Sequence, residues 1–195
     1  MSLAASEAPL VWIDCEMSGL AATDVLLQIA CIVTDANLRV LDPECFNVTI
    51  ARGPETLAAM DAWCTATHAA TGLSARVLAP DAVPIADAAA QLLAYVKRLV
   101  PERGTALLAG NTVHADKVFL VKECPAVVEW LNYRILDVSA IKEGARRWCA
   151  PAVLAGTPKK KGLHEAEEDI RESIEECRYW RDVLFRPAKP LGADV

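Results

Sequence analysis

Two acidic residues, Asp14 and Glu16, interrupt an apolar stretch near the start of the chain, in LVWIDCEMSGL. Residues 10–13 are apolar and rich in β-branched and aromatic types, which predicts a buried strand. Side chains alternate across a strand, so both carboxylates point to one face, with Cα atoms about 6.6–7 Å apart. Like charges on an apolar face are costly to desolvate without a cation between them. The spacing therefore indicates an Mg²⁺ or Mn²⁺ site; the alternative is an edge strand whose carboxylates lie in water.

A third acidic residue, Asp116, follows a predicted strand over residues 105–109, in the sequence GNTVHAD. Ligands of open α/β sheets gather at the ends of strands, which favours a role for this carboxylate at the same site. The alternative is a carboxylate at a helix N-terminus, where the helix dipole favours it without any chemistry. We interpret the neighbouring His114 as a surface histidine.

The sequence GLHEAEEDI brings a histidine and an acidic residue close together, His164 and Asp169. On one continuous helix they would lie about 140° apart around the axis and would not converge. If the helix begins after His164, Asp169 is fixed on the helix while the histidine reaches the site from a loop. Such a base suits the activation of a water at a metal. The alternative is a solvated loop histidine followed by an acidic helix start.

Composition limits the class of protein. The chain has 195 residues, 53% of them hydrophobic, with no run long enough to cross a bilayer, so we expect one soluble domain and no membrane partner. Its seven cysteines include no C-x-x-C pair, which predicts small core residues in a reducing compartment. The first ten residues carry only Glu7 as a charge, which disfavours a secretory or an Arg-rich transit signal. We therefore expect a cytoplasmic protein, with the mitochondrion and nucleus left open.

The net charge of −6 restricts the partner further. A protein that grips a long nucleic acid needs a broad basic face. This chain has few basic runs, such as Arg146-Arg147 and Lys159–Lys161. We interpret the lysines as a solvated loop, with a phosphate-steering role as the alternative. A nucleic-acid substrate is therefore expected to be short, with metals supplying most of the positive charge.

Apolar runs and turn residues predict the elements that position these groups. Strands are predicted over residues 10–13 and onward, 25–34 and 38–50, the last with Pro43 as a break. They are too closely spaced for a crossover helix, which predicts an antiparallel meander. Further strands are predicted over 105–109 and 133–138. Predicted helices cover residues 54–68, 85–100, 115–123, 125–131, 139–149 and 165–185.

Three details complete this prediction. Ser139 is expected to cap its helix, and residues 150–162 are expected to form a loop. The last helix should turn a stripe inward that contains Ile170, Ile174, Cys177 and Leu184. Strands that cluster and then alternate with helices predict a single α/β domain with a mixed sheet over residues 10–185. Residues 1–9 form an N-terminal extension and 186–195 a mobile tail in this prediction.

Three features in combination resemble the exonuclease motifs of the DEDDh superfamily: a D-x-E motif, an aspartate that follows a G-N-T turn, and an H-x4-D motif. Further blocks resemble its oligoribonuclease family: WIDCEMSGL, VTDANL, MDAWCTATHAATGL, YRILDVSAIKEGARRW and DIRESIEECRYWR. The resemblance covers residues 10–185. It implies a ribonuclease H-like fold, in which a mixed five-stranded sheet is flanked by helices. It also implies a homodimer with 3′-to-5′ exonuclease activity on very short RNA, chiefly 5′-phosphorylated dinucleotides, with nucleoside 5′-monophosphates as products.

The resemblance also assigns roles to residues. Two Mg²⁺ or Mn²⁺ ions would be held by four catalytic carboxylates, those of Asp14, Glu16, Asp116 and Asp169. The pair would clamp the scissile phosphate, and His164 would take the proton from the attacking water. This requires a neutral imidazole, so activity should rise as the pH passes the histidine pKa.

Substrate-binding roles are implied in the same way. Leu20 and Trp63 match residues that wedge against and stack on the two bases, with core packing as the alternative for both. A cap over the 5′-phosphate would use Tyr133 and Arg134 of the second subunit, together with Thr112 and Ser139. Asn111 is a further substrate-binding residue. A closed 5′ side would admit a dinucleotide and reject a longer chain. Two departures bear on the cap: Thr112 replaces the usual serine, and Ala140 stands where a second hydroxyl is expected, which weakens the cap.

Two rival functions remain at this point. A proofreading-type DNA exonuclease of the same superfamily would keep the five catalytic residues but accept long single strands. A non-catalytic nucleic-acid-binding protein would keep the fold without the chemistry. The presence of all four carboxylates disfavours this second rival.

Overall fold

The computed structural model describes residues 8–159 and 166–185. A five-stranded sheet forms its centre, with the strand order β3-β2-β1-β4-β5. The strands are β1 (Leu10–Met17), β2 (Leu26–Thr34), β3 (Phe46–Thr49), β4 (Leu107–Gly110) and β5 (Asn132–Asp137). β1, β2 and β3 pair antiparallel, whereas β1, β4 and β5 pair parallel. The predicted meander and the mixed five-stranded sheet are confirmed.

Helices cover both faces of this sheet. In chain order they are α1 (Pro54–Ala58), α2 (Ala62–Ala70), α3 (Leu73–Val77), α4 (Ile85–Leu99), α5 (Val113–Glu123), α6 (Pro125–Trp130), α7 (Val138–Trp148), α8 (Pro151–Ala155) and α9 (Ala166–Trp180). A π-helical turn, Arg181–Phe185, follows α9. None of the helices in the described ranges is long and apolar enough to span a membrane.

The alternation of side chains along β1 decides which layer the acidic residues face. Val11, Ile13 and Cys15 pack into a core with residues of α4, α5 and α6. Trp12 points to the opposite face and packs with α9 residues that include Ile170, Ile174, Cys177 and Trp180. Asp14 and Glu16 follow Trp12 at intervals of two, so their carboxylates point toward the α9 side of the sheet. The predicted inward stripe of the last helix is confirmed as well, with Leu184 packed against the same cluster.

Two predicted elements were too long. The strand expected over residues 38–50 with a break at Pro43 is reduced to β3, which lies after that break. The part before it does not form, because Leu38 adopts a left-handed φ of 67° in a turn held by the Asp35 carboxylate. The helix expected over residues 54–68 is divided into α1 and α2. Asp61 causes the break, since its extended backbone lets its side chain cap α2 through the Cys64 N–H.

The later elements differ in smaller ways. Asp137, not Ser139, caps α7, because its carboxylate accepts the Ser139 N–H at 3.0 Å. Residues 150–162 were expected to form a loop, but Pro151 opens α8, a position that proline favours. The helix predicted to reach residue 185 ends at Trp180 and continues as the π-helical turn. The boundaries at residues 9 and 186 remain predictions, since residues 1–7 and 186–195 lie outside the description.

All seven cysteines are free thiols, and five of them are buried. Burial raises the pKa of the Cys15 thiol well above its ordinary value, and the nearby Asp116 carboxylate adds to this effect. A buried thiol with a raised pKa is a poor nucleophile and metal ligand. The cysteines therefore act as small core residues, as the sequence predicts.

Candidate active site

Three carboxylates converge at the end of β1. Asp14 and Glu16 reach this point from the strand and Asp169 from the first turn of α9, with one oxygen of each within 4.8 Å of the others. They border a cavity of about 270 Å³. Strand and helix are both part of the packed core, so residues 155 positions apart along the chain are held rigidly together.

Asp116 lies beside this cluster in the first turn of α5 and is only 6% exposed. It does not belong to the group of oxygens within 4.8 Å, but its Oδ1 accepts the Cys15 N–H at 2.9 Å, between the two acidic residues of β1. The glycine before this region, Gly110, permits the close approach, because a Cβ there would lie 3.1 Å from the Ile13 carbonyl oxygen. The structure thus brings all four predicted carboxylates to one end of the sheet.

The electrostatics of the cluster favour a cation. Burial raises the pKa of Glu16 to about 7, with the charges of Asp169 and Asp116 adding to the rise. Burial also raises the pKa of Asp116 to about 7, against the opposing hydrogen bond from Cys15. The donors are oxygens of carboxylates, which suit Mg²⁺ and Mn²⁺. The residues present therefore fit a divalent metal centre, which would stabilise the ionised forms.

We expect Glu16→Gln to stabilise the metal-free protein at pH 8. A carboxyl whose pKa is higher in the folded than in the unfolded state favours folding below its unfolded pKa, and this contribution is lost as the pH rises through about 7. The rise from 4.5 to about 7 corresponds to about 3 kcal/mol as an upper figure. Thermal melts with EDTA should show a higher Tm for the variant at pH 8 and a much smaller difference at pH 4.

Glu129→Gln, an exposed glutamate of α6, is the matched control for this change. It should leave the Tm at both pH values within about 1 °C, as surface substitutions usually do. Added Mg²⁺ should raise the Tm of the unsubstituted protein and have less effect on Glu16→Gln. A Glu16→Gln variant that is less stable than the parent at pH 8 in EDTA would contradict the claim that the ionised Glu16 destabilises the cluster when no cation is bound.

The predicted general base, His164, lies outside the described residues, as do Lys160 and Lys161 of the lysine run. His114 is exposed, as interpreted, although its Nδ1 lies 3.1 Å from the Asp137 carboxylate.

A second histidine of the site, His68, escaped the sequence analysis. It lies on α2, is 2% exposed and lines the acidic cavity. Its Nε2 donates to the Met17 carbonyl oxygen at 2.9 Å, which leaves Nδ1, 3.9 Å from a Glu16 oxygen, as the second polar atom of the ring. Its position gave no signal, because five residues after Trp63 is about 140° around a helix, and a buried helix histidine is ordinarily a core residue.

Apolar side chains also line this cavity. Leu20 is 77% exposed and Trp63 is 61% exposed, and both line the cavity. Neither therefore packs in the core, which was the alternative for each. The loop that carries Leu20 is held by Asp24, whose carboxylate accepts the Ser18 hydroxyl and the Ala21 N–H, each at 2.8 Å. An exposed leucine on a braced loop is poised to contact a ligand.

Three of the remaining predicted substrate residues, Asn111, Thr112 and Ser139, lie together on a polar surface at the ends of β4 and β5, apart from the acidic cavity. A cavity of about 510 Å³ there is lined by residues that include Thr112, Ser139 and Lys142. Asp137 organises the surface, because its Oδ1 accepts the N–H groups of Thr112 and Ser139, each at 3.0 Å. Thr112 adopts a left-handed φ of 55°, which is costly for a β-branched residue and persists only where the surroundings enforce it.

Tyr133 and Arg134 lie on β5 and are exposed, Tyr133 at 72%. The guanidinium of Arg134 lies over the Tyr133 ring at 4.4 Å from its centroid. Neither residue is among those that line the acidic cavity of its own chain. The pair is therefore accessible to another molecule.

Comparison with known proteins defines the class. The model of the exonuclease family, of RNase T type, matches residues 11–177. In solved structures, the same fold occurs in a zinc-bound complex of E. coli exonuclease I with single-stranded DNA, with a TM-score of 0.67 and 13% identity. The match covers 92% of this chain and 42% of that chain, so it concerns the fold alone. The fold and the acidic cluster thus define an exonuclease.

Two curated relatives narrow the class. The oligoribonuclease of Rhodococcus jostii is 45% identical over 188 residues, which are 95% of this chain and 93% of that protein. The mitochondrial oligoribonuclease of Saccharomyces cerevisiae is 42% identical over 186 residues, 92% of this chain and 68% of that protein. The chain therefore belongs to the oligoribonuclease family of exoribonucleases.

Proposed function

We propose that this protein hydrolyses very short RNA, chiefly dinucleotides, from the 3′ end to nucleoside 5′-monophosphates. The observation that carries the proposal is the convergence of the Asp14, Glu16 and Asp169 carboxylates, with Asp116 beside them, in a cavity of about 270 Å³. Trp63 lines the same cavity. The carboxylates thus suit cations and a phosphodiester, and the tryptophan ring suits a base.

The proposed chemistry divides between the four carboxylates and His164. Asp14, Glu16, Asp116 and Asp169 would hold two divalent ions, Mg²⁺ or Mn²⁺. Bound ions of this kind lower the pKa of water and neutralise charge that develops on the phosphate. His164 acts as general base and takes the proton of the attacking water on a neutral imidazole nitrogen.

Recognition of the bases uses exposed apolar side chains. Trp63 stacks on one base, and Leu20 wedges between the two. Stacking on an aromatic ring is worth roughly 1–3 kcal/mol per base and tolerates any sequence. The net charge of −6 agrees with this mode of binding, because a dinucleotide needs no extended basic track.

A limit on substrate length follows from the polar surface at Thr112. Asn111, Thr112 and Ser139 form a cap for a 5′-phosphate, which closes the site to longer chains. We expect kcat/KM for a 5′-phosphorylated dinucleotide to exceed that for a seven-residue RNA by at least about tenfold. Mass spectrometry of the products should show nucleoside 5′-monophosphates only.

The same assay separates the rival functions. A faster rate on a long single-stranded DNA would favour a proofreading-type exonuclease. Metal-independent binding without hydrolysis would favour a nucleic-acid-binding protein. Repeating the assay with Mg²⁺ and with Mn²⁺ identifies the ion that supports turnover.

A homodimer would complete the cap. The exposed Tyr133 and Arg134 do not line the acidic cavity of their own chain, which supports a role at the site of a second subunit. An Arg guanidinium binds phosphate through two parallel hydrogen bonds, which suits a cap. Sedimentation of the purified chain should therefore give the mass of two subunits.

Mixing two impaired variants tests whether Arg134 acts across the interface. Asp14→Ala and Arg134→Ala homodimers should each be impaired on the phosphorylated dinucleotide. After co-refolding, mixed dimers contain one site with an intact Asp14 and an intact Arg134 from the partner, so activity should return. A mixture no more active than the Arg134→Ala protein alone, or an active monomer, would contradict this arrangement.

The free, buried cysteines support a reducing location, and we propose the cytoplasm. The yeast relative is named as a mitochondrial protein, so the mitochondrion is the alternative location. Fractionation of cells that make the full chain would distinguish these compartments.

A further inference from the structure

A buried carboxylate that the proposed chemistry does not use, Glu176 of α9, is connected to the cap. Its side chain is 1% exposed. Its Oε1 accepts hydrogen bonds from Lys142 Nζ at 3.0 Å and Trp180 Nε1 at 3.3 Å, and its Oε2 accepts one from Asn111 Nδ2 at 3.3 Å. Burial of a charge is costly without such partners, so this carboxylate is held by its ion pair and its donors.

Glu176, together with Ser173, determines which way the Asn111 amide points. An ionised carboxylate only accepts hydrogen bonds, so the amide nitrogen of Asn111 must face it. The same nitrogen donates to Ser173 Oγ at 2.8 Å, and that hydroxyl in turn donates to the Asp169 carbonyl oxygen at 2.8 Å. Both amide protons are thereby used, and the amide oxygen must face Ser139.

The amide oxygen fixes the direction of the next two hydrogen bonds. Ser139 Oγ lies 3.2 Å from Asn111 Oδ1 and must donate to it, because the amide oxygen only accepts. A hydroxyl has a single proton, so in its contact of 3.1 Å with Thr112 Oγ1 the serine accepts. The chain of donors therefore runs from Thr112 to Ser139 to Asn111.

We infer that Glu176 is a positioning residue that makes Thr112, not Ser139, the hydroxyl donor to a 5′-phosphate. Thr112 is exposed and can exchange its bond to Ser139 for a stronger one to a charged phosphate oxygen. Ser139 cannot do so without leaving the Asn111 oxygen unpaired, which costs free energy. The inference rests on the 5′-phosphate cap of the proposed function and specifies which hydroxyl of that cap donates to the phosphate.

The test is the ratio of kcat/KM for a dinucleotide with a 5′-phosphate to that for the same dinucleotide with a 5′-hydroxyl. We expect Thr112→Val, which keeps the shape of the side chain, to lower this ratio at least tenfold. Ser139→Ala should lower it less than threefold. A tenfold fall in Ser139→Ala, or an unchanged ratio in Thr112→Val, would overturn the inference.

Glu176→Gln tests the cause. Its amide oxygen should remain with Lys142 and Trp180, so its amide nitrogen faces Asn111. The Asn111 amide must then turn over, and the Ser173 hydroxyl must give up its bond to the Asp169 carbonyl oxygen and donate to the Asn111 oxygen. Ser139 then accepts a hydrogen bond from Asn111, so its own hydroxyl group can donate a hydrogen bond to the phosphate. In this background, Ser139→Ala should lower the ratio at least fivefold, an effect that a merely structural role of Glu176 would not produce.

Controls keep the outcomes separate. Glu175→Gln, an exposed neighbour on α9, should leave the small effect of Ser139→Ala unchanged. An equally small effect of Ser139→Ala in folded Glu176→Gln protein would remove Glu176 as the cause. If Glu176→Gln fails to fold, the comparison of Thr112→Val with Ser139→Ala decides the inference.

Two results distinguish a failure of the cap from a failure of this inference. A ratio near one in the unsubstituted protein would show that there is no 5′-phosphate cap. A high ratio that falls equally in Thr112→Val and Ser139→Ala would keep the cap but contradict the assignment of Thr112 as its hydroxyl donor.

Discussion

Asp14→Ala should lower kcat for a 5′-phosphorylated dinucleotide by on the order of 10³-fold, with the fold intact. Asp14 belongs to the group of oxygens within 4.8 Å, so its loss removes a ligand from the proposed metal pair. A metal centre supplies several kcal/mol of charge stabilisation in the transition state, and each 1.4 kcal/mol is a factor of ten. Initial rates at saturating Mn²⁺ would measure the effect, and circular dichroism would check the fold.

Asp87→Ala serves as the control, because Asp87 is an exposed acidic residue in the first turn of α4. It should retain the rate of the unsubstituted enzyme to within about twofold, with at most a small loss of stability from the helix dipole. An Asp14→Ala protein that cleaves the dinucleotide at a near-normal rate would contradict the assignment of the acidic cluster as the catalytic centre.

His164→Ala should lower kcat by about 10²–10⁴-fold, which is the usual contribution of a general base. Because the base must be neutral, the unsubstituted enzyme should gain activity as the pH rises through the histidine pKa. At saturating Mn²⁺, the low remaining rate of the variant should lose this dependence. Rates between pH 5 and 9 would measure both effects.

His114→Gln is the matched control for this substitution, since His114 is exposed and lies outside the acidic cavity. It should keep the acidic limb of the pH–rate profile. If His164→Ala keeps that limb as well, the proton acceptor is another group, and the buried His68 in the cavity becomes the first candidate.

The sequence predicted the acidic residues that meet at the end of β1 better than it predicted the loops and helix ends. Asp14 and Glu16 could be placed on one face because strand periodicity is local and strict. Their meeting with Asp169 depends on packing between β1 and α9, which no local pattern contains, so it came from the resemblance. In the structure, the alternation of side chains along β1 that packs Trp12 against α9 also directs Asp14 and Glu16 toward the side of the sheet where Asp169 lies.

What the sequence did not predict depends on single contacts. Asp61 ends a helix because its side chain caps the next one, and Leu38 turns the chain with a left-handed backbone that leucine rarely adopts. His68 could not be assigned to the site, because burial on a helix is equally typical of a core residue. The link from Glu176 to Ser139 runs through Asn111 and spans three elements, so it exists only in the folded protein.

A crystal structure of the His164→Ala protein with Mn²⁺ and a 5′-phosphorylated dinucleotide would test the central claim most directly. We expect two anomalous peaks about 4 Å apart among the carboxylates of Asp14, Glu16, Asp116 and Asp169, with the scissile phosphate between them and a base against Trp63. Carboxylates that bind no manganese in this crystal, or a dinucleotide seated away from them, would contradict the account.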